Sequence, residues 1–167
     1  MKKLRIMSGV LALLWMCVIF AFSAQKKEES GAVSQSFSYR VVSSTTHFLH
    51  LDLDEERMRE IANAIEGKVR KAAHMTEYAI LSILIYVWLG LWRQPWWKKS
   101  LTVFCIAIPY AASDELHQLF VPGRAGRISD VLIDSAGAVL GLFLFLGVKK
   151  CISFLWSRRK YRKPRFS

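Results

Sequence analysis

The chain has 167 residues, 53% of them hydrophobic, with 24 Lys and Arg against 13 Asp and Glu and a net charge of +11. The apolar residues come in long runs that leave no room for a water-soluble core. Nucleic acid is therefore a poor explanation of the charge, which membrane topology explains better and which no recognition motif accompanies.

Ile6 to Gln25 is 20 residues without a charge, and it predicts a first span over about 6–24. Met1–Arg5 and the Ala21-Phe22-Ser23 triplet also fit a signal peptide with an A-x-S cleavage site. The apolar run Ile6–Phe22 is longer than a usual signal core of about 7–15 residues, which favours a retained anchor. Residues 25–71 form an outer segment. Its first part, Gln25 to about Asp52, is polar with little periodicity and reads as extended or partly ordered. At Asp54 the character changes. Asp54 suits an N-cap, with Glu55 and Glu56 in the first turn, and Ile61, Ile65, Val69 and Ala72 or Ala73 follow at helical spacing. This amphipathic outer helix lies along the surface or leads directly into the second span, about 73–92.

Pro95 breaks a short inner loop. A third span follows over about 100–120, Pro122-Gly123 marks a turn, and a fourth span covers about 130–148. With the N-terminus in the cytoplasm, Met1–Arg5, Arg93–Lys99 and Lys149–Ser167 are cytoplasmic. They hold 14 positive charges and no acid, as an N-in, C-in arrangement requires. Residues 149–167 read as a basic tail on the anionic inner leaflet. Trp92, Trp96, Trp97 and Trp156 fall near the inner boundary as an aromatic belt would. Cys17, Cys105 and Cys151 lie in spans or at that boundary, which offers no disulfide framework and reads as packing. The expectation is an all-α polytopic membrane protein, with residues 1–148 as one membrane domain.

Polar residues converge at the outer ends of the last three spans. Arg70, His74 and Glu77 share one helical face. Tyr110, Asp114, His117 and Gln118 share another, with Glu115 about a quarter turn away. Asp130 and Asp134 stand one turn apart, and Gly137 and Gly141 extend that stripe as a G-x-x-x-G that permits close helix contact. Arg124 and Arg127, on a Gly-rich loop, suit a phosphate or carboxylate clamp. Ionised groups at membrane depth are costly and usually functional or paired. Asp134 should face the bundle and pair with Arg124, Arg127, His74 or His117. A competing reading makes the whole constellation a structural network. His74, Glu77, Asp114, His117 and Asp134 include metal-binding residue types, but no H-E-x-x-H occurs, so neither metal nor cofactor is expected.

Three stretches carry a family resemblance. They are Val69-Arg70-Lys71-x-x-His74-x-x-Glu77-Tyr78, Ser113-Asp114-Glu115-x-His117-Gln118-x-Phe120-Val121-Pro122-Gly123-Arg124, and Arg127-x-x-Asp130-x-x-x-Asp134-x-x-Gly137. In this order they resemble the VanZ-like family of bacterial membrane proteins. The resemblance implies a four-helix protein of the bacterial cell membrane, from a family whose namesake is associated with low-level teicoplanin resistance. It supplies no established enzymatic activity. Three functions stay open. One is an envelope protein that lowers susceptibility to teicoplanin-type lipoglycopeptides through an outward polar pocket. Another is a membrane enzyme acting on a lipid-linked or cell-wall intermediate, with Asp114, His117 or Asp134 as catalytic candidates. The last is an assembly protein. The expected partners are the lipid bilayer and an anionic or lipid-linked envelope component or lipoglycopeptide.

Overall fold

The fold was taken from a computed structural model, which describes residues 2–161. Residues 162–167, the end of the expected basic tail, lie outside the described residues, as does Met1. Five helices follow in order: α1 (Lys2–Ser23), α2 (Lys27–Phe48), α3 (Glu55–Trp88), α4 (Trp96–Gln118) and α5 (Ile128–Tyr161). A 3-10 turn, Leu89–Leu91, closes α3. No strand occurs among the described residues.

Three helices are long and apolar enough to cross a membrane: Lys2–Ser23, Glu55–Leu91 and Ile128–Arg158. The sequence leads to an expectation of four. The reason α4 is not among them lies at its ends. Lys98 and Lys99 open it and Asp114 and Glu115 sit near its close, leaving Ser100–Ser113 free of charge, 14 residues. At 1.5 Å per residue that stretch reaches about 21 Å, short of a hydrocarbon core of about 30 Å.

The expectation of an extended segment after Gln25 is corrected. Residues 27–48 form a helix because Ser34, Ser38, Val42 and Thr46 recur every four residues and are all buried. This stripe packs antiparallel on the first half of α3. Ser34 Oγ donates to Glu66 Oε1, Gln35 Nε2 donates to Asn63 Oδ1 at 2.9 Å, and the Arg59 guanidinium lies 5.7 Å from the Tyr39 ring centre. His50 closes α2 with a left-handed backbone, φ 52°. Its N–H reaches His47 O, and the Leu51 N–H reaches Thr46 O. The turn then meets the N-cap read from sequence, where Asp54 Oδ1 accepts the Arg57 N–H at 2.8 Å. From Glu55 the helix runs unbroken into the apolar segment, so the outer helix and the second span are one element of 34 residues.

The core sits where α1, the second half of α3, α4 and α5 meet. Tyr78, Leu81, Val103, Ala107, Ala111 and Ala138 are fully enclosed there. Small side chains let backbones approach closely. A Cβ on Gly137 would run into the backbone of Met75, and one on Gly141 into Ala79, so the G-x-x-x-G of α5 is its contact face toward α3. Contacts also fix directions. Trp15 Nε1 donates to Glu77 O at 2.8 Å, while Gly90 sits against Arg5, so α1 and α3 are antiparallel. The Tyr110 hydroxyl donates to Met16 O at 2.6 Å and His117 lies against Phe20, so α4 runs parallel to α1. Gly137 and Gly141 meet Met75 and Ala79 in the same order, so α5 runs parallel to α3. The bundle thus alternates up, down, up, down. Cys17, Cys105 and Cys151 are free thiols on its outer surface and are not packed inside it.

Candidate functional site

The α4–α5 turn builds one end of the bundle. Gly123 takes φ +77°, a left-handed geometry that suits glycine, and Arg124 N–H bonds back to Val121 O at 3.1 Å. Gly126 passes so close to Glu115 O that a Cβ would collide with it. Glu115 Oε2 then accepts the Arg127 N–H at 2.9 Å, satisfying a free donor at the start of α5 with an anion. Beneath this turn is a cavity of about 220 Å³. Its wall includes Lys27 and Ser30 from α2, Arg70, Lys71 and His74 from α3, and Glu115 and Gln118 from α4. Gly123, Arg124, Ala125 and Arg127 from the turn, with Asp130, Ile133 and Asp134 from α5, complete it.

Of the residues singled out in the sequence, Arg70, His74, Glu115, Gln118, Arg124, Arg127, Asp130 and Asp134 meet at this cavity. Glu77, Asp114 and His117 do not line it. Glu77 Oε2 lies 3.4 Å from His74 Nδ1, one turn deeper on α3. Asp114 is 1% exposed, and its Oδ2 takes a long hydrogen bond of 3.4 Å from Gln118 Nε2. The His117 ring packs on Phe20 of α1 with centroids 4.3 Å apart. Lys27, Ser30 and Lys71 also belong to the wall. Lys27 is the first residue of α2 and lies beside Gly123 of the turn.

The two arginines of the expected clamp have different tasks. Arg124 Nε donates to Gln25 O at 2.9 Å and Nη2 to Phe22 O at 3.3 Å, so the side chain is fastened to the end of α1. Burial, with the Arg70 charge nearby, lowers the Arg124 pKa from its ordinary value. Arg127 is exposed and has no carboxylate within 4.0 Å among the described residues; the same is true of Lys27 and Lys71. Arg70 has a loose partner in Glu66, at 3.5 Å.

Asp134 faces the bundle, only 2% exposed. The partner expected for it is missing. Its Oδ1 has no hydrogen bond, and no cation lies within 4.0 Å of it among the described residues. The candidates have other neighbours: His74 Nδ1 lies 3.4 Å from Glu77 Oε2, Arg124 bonds to the end of α1, the His117 ring packs on Phe20, and Arg127 is exposed. No group of three or more His, Cys, Asp or Glu side chains arranged to hold a metal ion occurs among the described residues.

A family model described as VanZ/LLP1 matches residues 9–152, from the first helix to beyond the middle of α5. The chain belongs to the VanZ/LLP1 family. No curated protein and no solved structure matches it. The VanZ/LLP1 match takes in all the elements that line the cavity and the three membrane-length helices, so this is a membrane protein of VanZ type.

Proposed function

We propose that this VanZ-type protein crosses the bacterial plasma membrane four times, with both termini inside, and that its cavity opens outward to hold the anionic group of a membrane-tethered envelope component. The observation that carries this reading is a surplus of cations. Lys27, Lys71 and Arg127 converge on one cavity from three elements, without carboxylate partners within 4.0 Å among the described residues. Guanidinium and ammonium groups so placed suit phosphate or carboxylate. Four passes are supported by the alternating directions of the helices. In that arrangement α4 crosses with Lys98 and Lys99 reaching one interface and with Asp114 and Glu115 enclosed by the bundle, away from lipid.

Lowered susceptibility to teicoplanin-type lipoglycopeptides follows if the protein handles such a component, or the antibiotic itself, where an acyl chain anchors it. Overexpression in a susceptible Gram-positive host should raise tolerance to teicoplanin more than to vancomycin. The double variant Lys71→Ala/Arg127→Ala should lose that gain at equal protein level. Equal teicoplanin susceptibility with and without the well-expressed protein would overturn the resistance reading. A membrane enzyme is the second reading, and Asp134 favours it as a buried carboxylate reaching the cavity. Of the three catalytic candidates, Asp114 and His117 stand outside the cavity lining.

A further inference from the structure

The cavity is bipolar. Lys27, Lys71 and Arg127 stand toward its mouth. Asp134 lies two helical turns beyond Arg127 on α5, about 10 Å deeper at 1.5 Å per residue. Asp134 is 2% exposed, lines the cavity, and has a carboxylate oxygen with no hydrogen-bond partner among the described residues. Buried polar groups are almost always satisfied, and a lone carboxylate is among the costliest to leave unsatisfied. No Lys, Arg or His nitrogen lies within 4.0 Å of the Asp134 carboxylate among the described residues. A carboxylate in such surroundings binds most strongly to a charged N–H donor.

The mouth therefore asks for an anion and the floor for an ammonium. On the reading of an anion-holding cavity given above, we propose that the ligand is a phosphate–primary-ammonium headgroup, as in an ethanolamine phospholipid. Its phosphate lies against Lys71 and Arg127, and its ammonium donates to Asp134. Asp130, one turn above Asp134 on the same wall, adds a second acceptor. The ammonium must keep at least one N–H, and a quaternary one has none to give. The exposed apolar residues beside the cavity fit a tethered ligand. Phe120 is 84% exposed and Ile128 82%, next in sequence to the turn and to Arg127. Such side chains belong at the edge of the hydrocarbon, where acyl chains would run past the cavity.

The test uses the full chain purified in detergent. It is titrated with short-chain phosphatidylethanolamine, its mono- and dimethyl derivatives, phosphatidylcholine and phosphatidylglycerol, and with soluble glycerophosphoethanolamine. Binding of phosphatidylethanolamine should exceed that of phosphatidylcholine by about tenfold, with the main loss at the last methyl, which removes the last N–H. Asp134→Asn should erase that difference. The methyl series on the unaltered protein decides the matter even if Asp134→Asn does not fold. Equal binding of glycerophosphoethanolamine would identify the free headgroup as sufficient; much weaker binding would identify the lipid. Either satisfies the proposal. If phosphatidylcholine or phosphatidylglycerol binds as well as phosphatidylethanolamine, the ammonium site is refuted. The anion-holding cavity then still stands, provided Lys71→Ala/Arg127→Ala weakens that binding. If no phosphate-bearing ligand binds, both readings fall.

Discussion

Arg124 and Arg127 show how two like residues, three apart, divide structure from binding. The Arg124 guanidinium bonds to Phe22 O in the last turn of α1 and to Gln25 O just beyond it, where the helix dipole favours a cation. Hydrogen bonds from a charged donor contribute about 1.5–3 kcal/mol net. Arg124→Gln should therefore lower stability by about 1–3 kcal/mol. Arg124→Lys should recover only part of the loss, since an ammonium lacks the planar fork that reaches two carbonyls. Arg127 holds its place through its backbone, whose N–H goes to Glu115, while its side chain is exposed. Arg127→Ala should change stability by no more than about 0.5 kcal/mol while weakening anion binding. Thermal unfolding of the purified protein checks both. An equal loss at the two positions would contradict this division.

At the level of elements, the contact of α3 with α5 is set by Gly137 and Gly141 against Met75 and Ala79. Gly137→Ala places a methyl group where the Met75 backbone already is, so the two helices must part. The cost should be about 1–3 kcal/mol, as for other overpacked cores. Gly147→Ala, on the same helix with nothing within 4 Å of the added Cβ, should be neutral or gain up to about 1 kcal/mol from helix propensity. Thermal unfolding of the two variants should separate them clearly, and equal shifts would argue against the tight contact. The glycine stripe and the Asp54 cap were legible in the sequence because each is a local rule with a fixed spacing. The α2 helix was not. Its buried stripe contains Ser34, Ser38 and Thr46, and hydrophobic periodicity does not register serine and threonine. Lys27 was missed with it. The placement of His117 failed for a different reason. A helical face tells which side chains point together, but not which neighbour they meet. The outer turn of α4 spans two neighbours, with His117 against α1 and Glu115 and Gln118 against the cavity. Asp134 facing inward followed from its stripe; its missing partner depended on contacts made on three other helices and a turn.

For the whole molecule, charge and packing point the same way. One end of the bundle gathers Arg5, which sits against Gly90, and Lys149, whose ammonium lies 5.9 Å from the Tyr86 ring centre. Trp92, Trp96 and Trp97 are exposed near that end. The opposite end carries the cavity and the α2–α3 hairpin. The segments assigned to the first end hold 14 positive charges and no acid, which is the charge bias behind the proposal that this end faces the cytoplasm. Gly126 is a poor site for a reporter, since any side chain there meets Glu115 O. Exposed positions serve better: Ser44 on the hairpin, Ala125 on the α4–α5 turn, Gln94 before α4, and Ser157 late in α5. With Cys17, Cys105 and Cys151 replaced, single cysteines at these positions can be treated in intact cells with a membrane-impermeant thiol reagent. Ser44→Cys and Ala125→Cys should react, and Gln94→Cys and Ser157→Cys should react only after lysis. Labelling at 44 without labelling at 125 would mean that α4 does not cross. The reverse pattern at all four would turn the cavity toward the cytoplasm and remove it from any ligand in the outer envelope.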